Sequence, residues 1–298
     1  MSKHTQLLLL ATLIAGASWI LIPSQISFIP YSLSIGYRFI LAGMLLLSYC
    51  FYAKLWKKIS IKLHGLLLLQ GICMYCIPHS LNYNASSYIP TGVISLLLGF
   101  TIVPNTILGS IFSSDHITKS FLKGATISIL GIVLILYNDL NKLTQDILTV
   151  IGFSLVLGST FSTSVGTILS KQILQGPSYS LFFINGIAML YGGAVSVVFY
   201  LLKGGSLVFD FSYGFVLPFL YLSVIVTPLV FGIYLKLAKE VNAAFAGYIW
   251  LFMPVVALNI SIVFEDFKWT IYSILGTIFV IFGSYVSSQK ASKNKEKT

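Results

Sequence analysis

Residues 254–283 read PVVALNISIVFEDFKWTIYSILGTIFVIFG, and residues 104–131 read PNTILGSIFSSDHITKSFLKGATISILG. In each stretch a proline precedes an acid by eleven positions: Pro104 to Asp115 and Pro254 to Glu265. Two glycines seven positions apart then follow, Gly124 and Gly131 in one copy, Gly276 and Gly283 in the other. The acid-to-glycine spacing is nine in the first copy and eleven in the second. Both copies lie in very apolar sequence, and a repeated membrane unit that inverts between halves is a recurring plan of alternating-access transporters.

Working outward, composition places the whole chain in the membrane. Apolar residues make up 57% of the 298 positions and charged residues 9%, whereas a soluble domain carries about 25% charged residues. About 20 apolar residues cross a bilayer core, and ten such stretches are legible: 6–27, 31–53, 65–86, 90–112, 121–138, 147–170, 178–202, 213–236, 242–264 and 269–288. The loops are too short for a second domain.

The net charge of +10 reports topology rather than affinity for nucleic acid. With the N-terminus in the cytoplasm, fourteen lysines fall on the cytoplasmic side and three (Lys142, Lys203, Lys268) on the other. That is the positive-inside bias, and an odd number of spans spoils it. Attraction to anionic lipid is a minor addition. The first apolar run is longer than a signal core, and Trp19 and Pro23 stand where a cleavage site belongs, so it reads as the first span. Cys50, Cys73 and Cys76 fall inside spans without flanking polar ligands and read as small packing residues.

Division at 139–146 leaves five spans on each side, so the second unit enters the membrane from the opposite face. Asp115 then closes the fourth span on the lysine-rich side, and Glu265 closes the ninth on the lysine-poor side. The fold class expected is an all-α polytopic membrane protein of ten transmembrane helices. Its two inverted five-helix repeats span 1–140 and 147–288, with a basic tail at 289–298.

The stretch LKLAKEVNAAFAGYIWLFMPVVALNISIVFEDFKWTIYSILGTIFVIFGSYV, residues 235–286, resembles the closing part of a repeat of the EamA family in the drug/metabolite transporter superfamily. The shared parts are an alanine-containing helix end, a small-residue helix leading to Pro-Val, an acid at the helix exit, and a Gly-x6-Gly helix. The first half carries the same parts in NYNASSYIPTGVISLLLGFTIVPN (82–105), Asp115, Gly124 and Gly131, and Tyr37-Arg38-Phe39 is similar to the family's second helix. The first copy departs in being two residues longer before its proline and in having Asp115 where glutamate is commoner. The resemblance implies ten helices, cytoplasmic termini, and a central cavity lined by helices one to four and six to nine. It also implies secondary transport of small organic solutes without a cofactor.

Polar residues within spans need partners or a water-filled path. Tyr75, His79, Asn82 and Ser86 fall on one face of the third span beside Pro78, forming either a hydrogen-bonding wall for solute or a seam between helices. His79 is either a proton carrier or a neutral hydrogen-bonding group. The sixth span is rich in hydroxyls. Thr160, Thr163 and Thr167 share a face there, suited to solute contact or close packing. Trp19, Tyr221 and Tyr248 are aromatic candidates for a solute pocket. The solute-binding candidates are therefore Trp19, Tyr75, His79, Asn82, Thr160, Thr163, Tyr221 and Tyr248. Arg38 is a full charge inside a span. It either receives an anionic solute group or acts as a clamp to carbonyls, Glu265 or Asp266. Arg38, Pro104, Asp115, Pro254 and Glu265 form the gating or structural set.

Catalytic motifs and metal-ligand clusters are missing from the sequence, as is the set of cations a phosphorylated solute requires. No enzyme, metal or cofactor is expected. The expected partners are a small-molecule solute and the lipid bilayer, without nucleic acid, and the oligomeric state is left open. The expected function is secondary active transport of a neutral or zwitterionic solute, such as an amino acid or related metabolite, in a bacterial inner membrane. Two alternatives stand beside it: a lipid or hydrophobic-drug exporter, and a non-transporting membrane receptor.

Overall fold

The computed structural model describes residues 2–112, 119–143, 147–174, 179–241, 243–265 and 268–288. All regular structure among them is helical. Helix α1 covers Lys3–Ile26 and loosens into a turn over 18–20. Helix α2 is Tyr31–Tyr52, and α3 is Ile61–Ala85 with a π-helical stretch at Ile72–Cys76. Helix α4 is Thr91–Phe112 with a 3-10 turn at Leu98–Thr101. Then come α5 (Lys119–Leu143), α6 (Ile147–Leu174) and α7 (Leu181–Leu202). Helix α8 joins Tyr213–Leu220, a π segment Tyr221–Val230, and Phe231–Glu240. Ala243–Phe264 forms α9 and Ile271–Ser288 forms α10.

Eight helices among the described residues are long and apolar enough to cross a membrane: α1 to α4 and α6 to α9. Among the described residues the apolar stretch of α10 is shorter, Ile271–Val286. The protein is an integral membrane protein.

Local chemistry sets the helix ends. The side chains of Ser2 and Ser60 accept the backbone N–H of Thr5 and Leu63, capping α1 and α3. Pro30 and Pro90 enter α2 and α4 with φ of −54° and −56°, a torsion already suited to the first turn. Helices α2 and α7 end alike, on Lys54 at φ 56° and Gly204 at φ 82°. Leu55 N then bonds to Cys50 O at 2.8 Å, and Gly205 N to Tyr200 O at 3.2 Å. Such a left-handed closure favours glycine, which lacks the clashing Cβ.

Helix α2 lies along α7, and α5 along α10. Glycines permit the approach. A methyl at Gly43 would sit 2.7 Å from Gly186 O, and one at Gly193 would sit 2.8 Å from Gly36 O. At the other pair, a methyl at Gly131 would sit 2.6 Å from Gly276 O, and one at Gly283 would sit 2.5 Å from Gly124 O. With no hydrophobic drive between helices in lipid, such close backbone contact carries the association. Around these two pairs, α1 packs on α8 and α9, α6 packs on α3 and α4, α3 meets α7, α2 meets α8, and α4 meets α9. Trp19, at the loosened turn of α1, touches three separate apolar clusters and so marks where α1, α3, α4 and α9 converge.

Candidate functional site

Three polar assemblies interrupt the apolar interior. The first joins α1, α2 and α3. The Gln25 carbonyl Oε1 accepts Ser34 Oγ at 2.8 Å and the Tyr83 hydroxyl at 3.0 Å. Arg38 Nη1 donates to that same Tyr83 oxygen at 3.3 Å. The Arg38 guanidinium also lies 5.1 Å from the centroid of the Phe39 ring. Gln25 is 0% exposed and Arg38 8%. No carboxylate of the described residues lies within ion-pair reach of Arg38, and Glu265 is engaged elsewhere; Asp266 lies outside the described residues.

The second assembly ties α3 to α7. Asn185 Oδ1 accepts the Tyr75 hydroxyl at 2.7 Å and Gln70 Nε2 at 3.2 Å, and its own Nδ2 donates to Leu181 O. The third closes α9 onto α4. Glu265 Oε2 accepts Thr91 N at 2.9 Å and Ser261 Oγ at 2.6 Å, while both carboxylate oxygens accept Thr91 Oγ1 at 2.9 Å. Gly92 N donates to Ser261 Oγ at 2.9 Å. Glu265 and Ser261 thus satisfy the otherwise orphaned N–H groups of Thr91 and Gly92 at the positive end of α4. A methyl at Gly92 would meet Leu258 Cα at 2.8 Å, so the two backbones nearly touch here.

The solute-binding candidates do not form one cluster. Tyr75 and His79 both lie against the Phe39 ring, with centroids 5.1 and 4.5 Å away. Asn82 is 5% exposed, and its Oδ1 has no partner. Ser86 turns back to Tyr83 O. Trp19 Nε1 points to Met253 Sδ at 3.4 Å, and Tyr221 donates to Ile14 O at 3.0 Å, so both bind α1 to the second half. Thr160 is buried and donates to Leu157 O, and the Thr163 carbonyl accepts Thr167 Oγ1. Tyr248 stacks on Tyr285 with centroids 6.3 Å apart. Among the gating set, Pro104 lies in α4 and Pro254 in α9. Asp115 lies outside the described residues.

Sequence reading did not single out Gln70 or Asn185, and Tyr83 appeared only inside a quoted motif. It expects a loosened backbone beside Pro78 and bends or static kinks at span prolines that include Pro228, but not their π-helical form. The π stretches of α3 and α8 precede or contain Pro78 and Pro228, where a missing N–H breaks the regular ladder. Within the second, Thr227 Oγ1 donates to Leu222 O at 2.9 Å. The signal was present in the 150-residue offset that relates these two prolines, as it relates Pro104 to Pro254.

Comparison with known proteins agrees with this architecture. A solved crystal structure superposes with a TM-score of 0.65 at 14% identity, covering 96% of this chain and 98% of its own. Protein PagO of Salmonella typhimurium is 24% identical over 94% of this chain and 91% of its own. The uncharacterized transporter YetK of Bacillus subtilis is 26% identical over 93% and 84%. A probable amino-acid metabolite efflux pump of Escherichia coli is 23% identical over 96% and 94%. The pattern of the EamA-like transporter family matches twice, at residues 4–137 and 150–289, and the chain therefore belongs to that family of membrane transporters.

Proposed function

We propose that this protein is a secondary active transporter that moves a neutral or zwitterionic solute, an amino acid or related metabolite, by alternating access. In this reading its ten membrane helices form two inverted repeats, 1–140 and 147–288, with both termini in the cytoplasm of a bacterial inner membrane. The observation that carries it is the crosswise pairing of glycines. Adding 150 converts Gly36 and Gly43 into Gly186 and Gly193, so the contacts Gly43–Gly186 and Gly36–Gly193 exchange with each other. The α5–α10 glycines exchange in the same crosswise manner at an offset of 152, which relates Gly124 to Gly276 and Gly131 to Gly283. Several packing pairs are likewise preserved when each helix is replaced by its partner five places along: α1–α9 becomes α6–α4, α3–α7 becomes α8–α2, and α3–α6 becomes α8–α1. A two-fold related pair of halves is what lets one site face either side in turn.

The α4–α9 pair departs from that symmetry. At the lysine-poor end Thr91 and Ser261 are 0% and 1% exposed. Their 150-residue counterparts at the lysine-rich end, Val241 and Ile111, are 40% and 65% exposed. The inner part of α4, Ile102–Phe112, packs on α6 instead. This supports a state closed outward and open inward, with Glu265 as the outer latch and Asp115 as its inner counterpart. Pro104 and Pro254 are the hinges between the two ends. The efflux-pump names of the relatives support the solute class.

The test is counterflow in proteoliposomes loaded with each L-amino acid in turn. Solute-specific exchange supports the reading. Lipid translocation without exchange of any solute overturns it in favour of a flippase.

A further inference from the structure

We infer that Arg38, held by Tyr83, which in turn donates to Gln25, is the receptor for a carboxylate on the transported solute. This deepens the transport reading and rests on it. Arg38 is the single arginine of the chain, placed within α2, and a full charge at membrane depth needs compensation. Helix α1 brings Gln25, α2 brings Ser34 and Arg38, and α3 brings Tyr83. Their protons run one way: Arg38 to Tyr83, Tyr83 to Gln25 Oε1, and Ser34 to that same oxygen. These bonds occupy the Gln25 carbonyl with two donors and leave further N–H donors over. Arg38 Nε and Gln25 Nε2 are buried without a partner. A site with surplus N–H donors and an uncompensated positive charge is complementary to an anion with two acceptor oxygens.

The groups now around the guanidinium do not neutralise it. Tyr83 offers a neutral oxygen at 3.3 Å. The Phe39 ring, at 5.1 Å, offers a cation–π contact, which offsets only part of the desolvation of a buried ion. One guanidinium matches one carboxylate, whereas a phosphate dianion calls for further cations. No lysine stands in the same assembly, and none lies in α2 between residues 31 and 52. The site also occurs once. The residues 150 positions after Arg38 and Tyr83 are Ala188 and Ile233, both buried and apolar. The opposite end of the repeat therefore offers no second anion site, and a bound solute is oriented with its carboxylate toward the lysine-poor face.

The experiment uses full-length protein in proteoliposomes and in detergent. Each L-amino acid that shows counterflow is compared with its own carboxamide, which keeps size and ammonium but loses the anion. The acid is expected to compete at least tenfold better than the amide and to raise the melting temperature where the amide does not. In Arg38→Gln the acid's advantage is expected to vanish, while the amide's weaker competition stays. Arg38→Lys is expected to restore part of the preference. Equal competition by acid and amide in the wild type overturns the proposal and leaves the transport reading standing. Absence of counterflow and of stabilisation across all the amino acids defeats the transport reading and the proposal together. If Arg38→Gln does not yield folded protein, the wild-type acid–amide comparison decides alone.

Discussion

Replacing Gly71 by alanine tests the close approach of α3 and α7, and Gly65 on the same helix supplies the control. A methyl at Gly71 would lie 2.8 Å from Gly192 N and 3.2 Å from Ala188 C, and closer still to Ala188 O. All three are backbone atoms, so no side chain can rotate away. Ordinary contact between such atoms begins near 3.5 Å, and α7 must withdraw by roughly 1 Å. Overpacking of this kind costs about 1–3 kcal/mol. The retreat also loosens the Tyr75 and Gln70 bonds to Asn185, each worth about 0.6 kcal/mol in a membrane bundle. The expected loss is therefore about 2–4 kcal/mol, or a fall of roughly 5–10 °C in melting temperature. A methyl at Gly65 meets nothing within 4 Å, and there alanine should stabilise by about 0.5–1 kcal/mol through helix propensity. Thermal scanning of the two purified variants beside wild type reads both signs. If Gly71→Ala melts at or above the wild-type temperature, α3 and α7 are not in backbone contact at Gly71.

Other substitutions probe the remaining elements by the same measurement. Glu265→Ala removes a charged acceptor from Thr91 N and from two hydroxyls, and should cost about 3 kcal/mol, with Glu265→Gln near half of that. An unchanged melting temperature in the alanine variant would remove the latch. Lys54→Gly relieves a left-handed residue at φ 56° and should stabilise by about 0.5 kcal/mol, the net of roughly 1–2 of strain against the entropy of glycine. Gly204→Ala, its counterpart, should destabilise, and a gain there would contradict the matching helix ends. Tyr75→Phe deletes the shorter of two bonds to Asn185 and should lower stability by about 0.6 kcal/mol; a neutral result would mean that the seam does not hold α3 to α7.

The helices were legible because hydrocarbon thickness constrains length and apolarity so strongly. The stretches expected at 31–53 and 90–112 emerge as Tyr31–Tyr52 and Thr91–Phe112. What escaped were properties set between helices. The Gly-x6-Gly spacing was noticed in α5 and α10 but not in α2 and α7, although Gly36, Gly43, Gly186 and Gly193 repeat it at an offset of 150. A glycine pair gains meaning only with the partner backbone against it. The polar stripe of α3 reads as one face, yet Tyr75 turns to Asn185 on α7 while Ser86 folds back onto Tyr83 O within α3. Periodicity along one helix says which residues are near each other, not which neighbour receives them. Arg38 was visible as a buried charge, but a phenol stands where a carboxylate clamp was one of the alternatives.

The two ends of the α4–α9 pair differ in chemistry as well as exposure, and that difference predicts a bias. In the proposed alternating-access cycle, identical halves would make the outward-closed and inward-closed states symmetry-related and equally stable. The halves are not identical: the outer latch has the hydroxyls of Thr91 and Ser261 on Glu265, while the inner positions carry Val241 and Ile111. A hydrogen bond to a charged group contributes about 1.5–3 kcal/mol, so two of them favour outward closure by roughly 3 kcal/mol or more. At about 1.4 kcal/mol per tenfold, the outward-open state is then held near one part in a hundred. Thr91→Val with Ser261→Ala should release that bias without touching Glu265. The measurement is the labelling rate of a cysteine at Ile94, which is 0% exposed near the outer end of α4, by an impermeant maleimide in a background lacking the native cysteines. The rate should rise by one to two orders of magnitude, roughly the 3 kcal/mol expressed as a population. A rate unchanged by the double variant would mean that these hydroxyls do not set the resting state, and that backbone packing at Gly92 and Leu258 closes the outer end unaided.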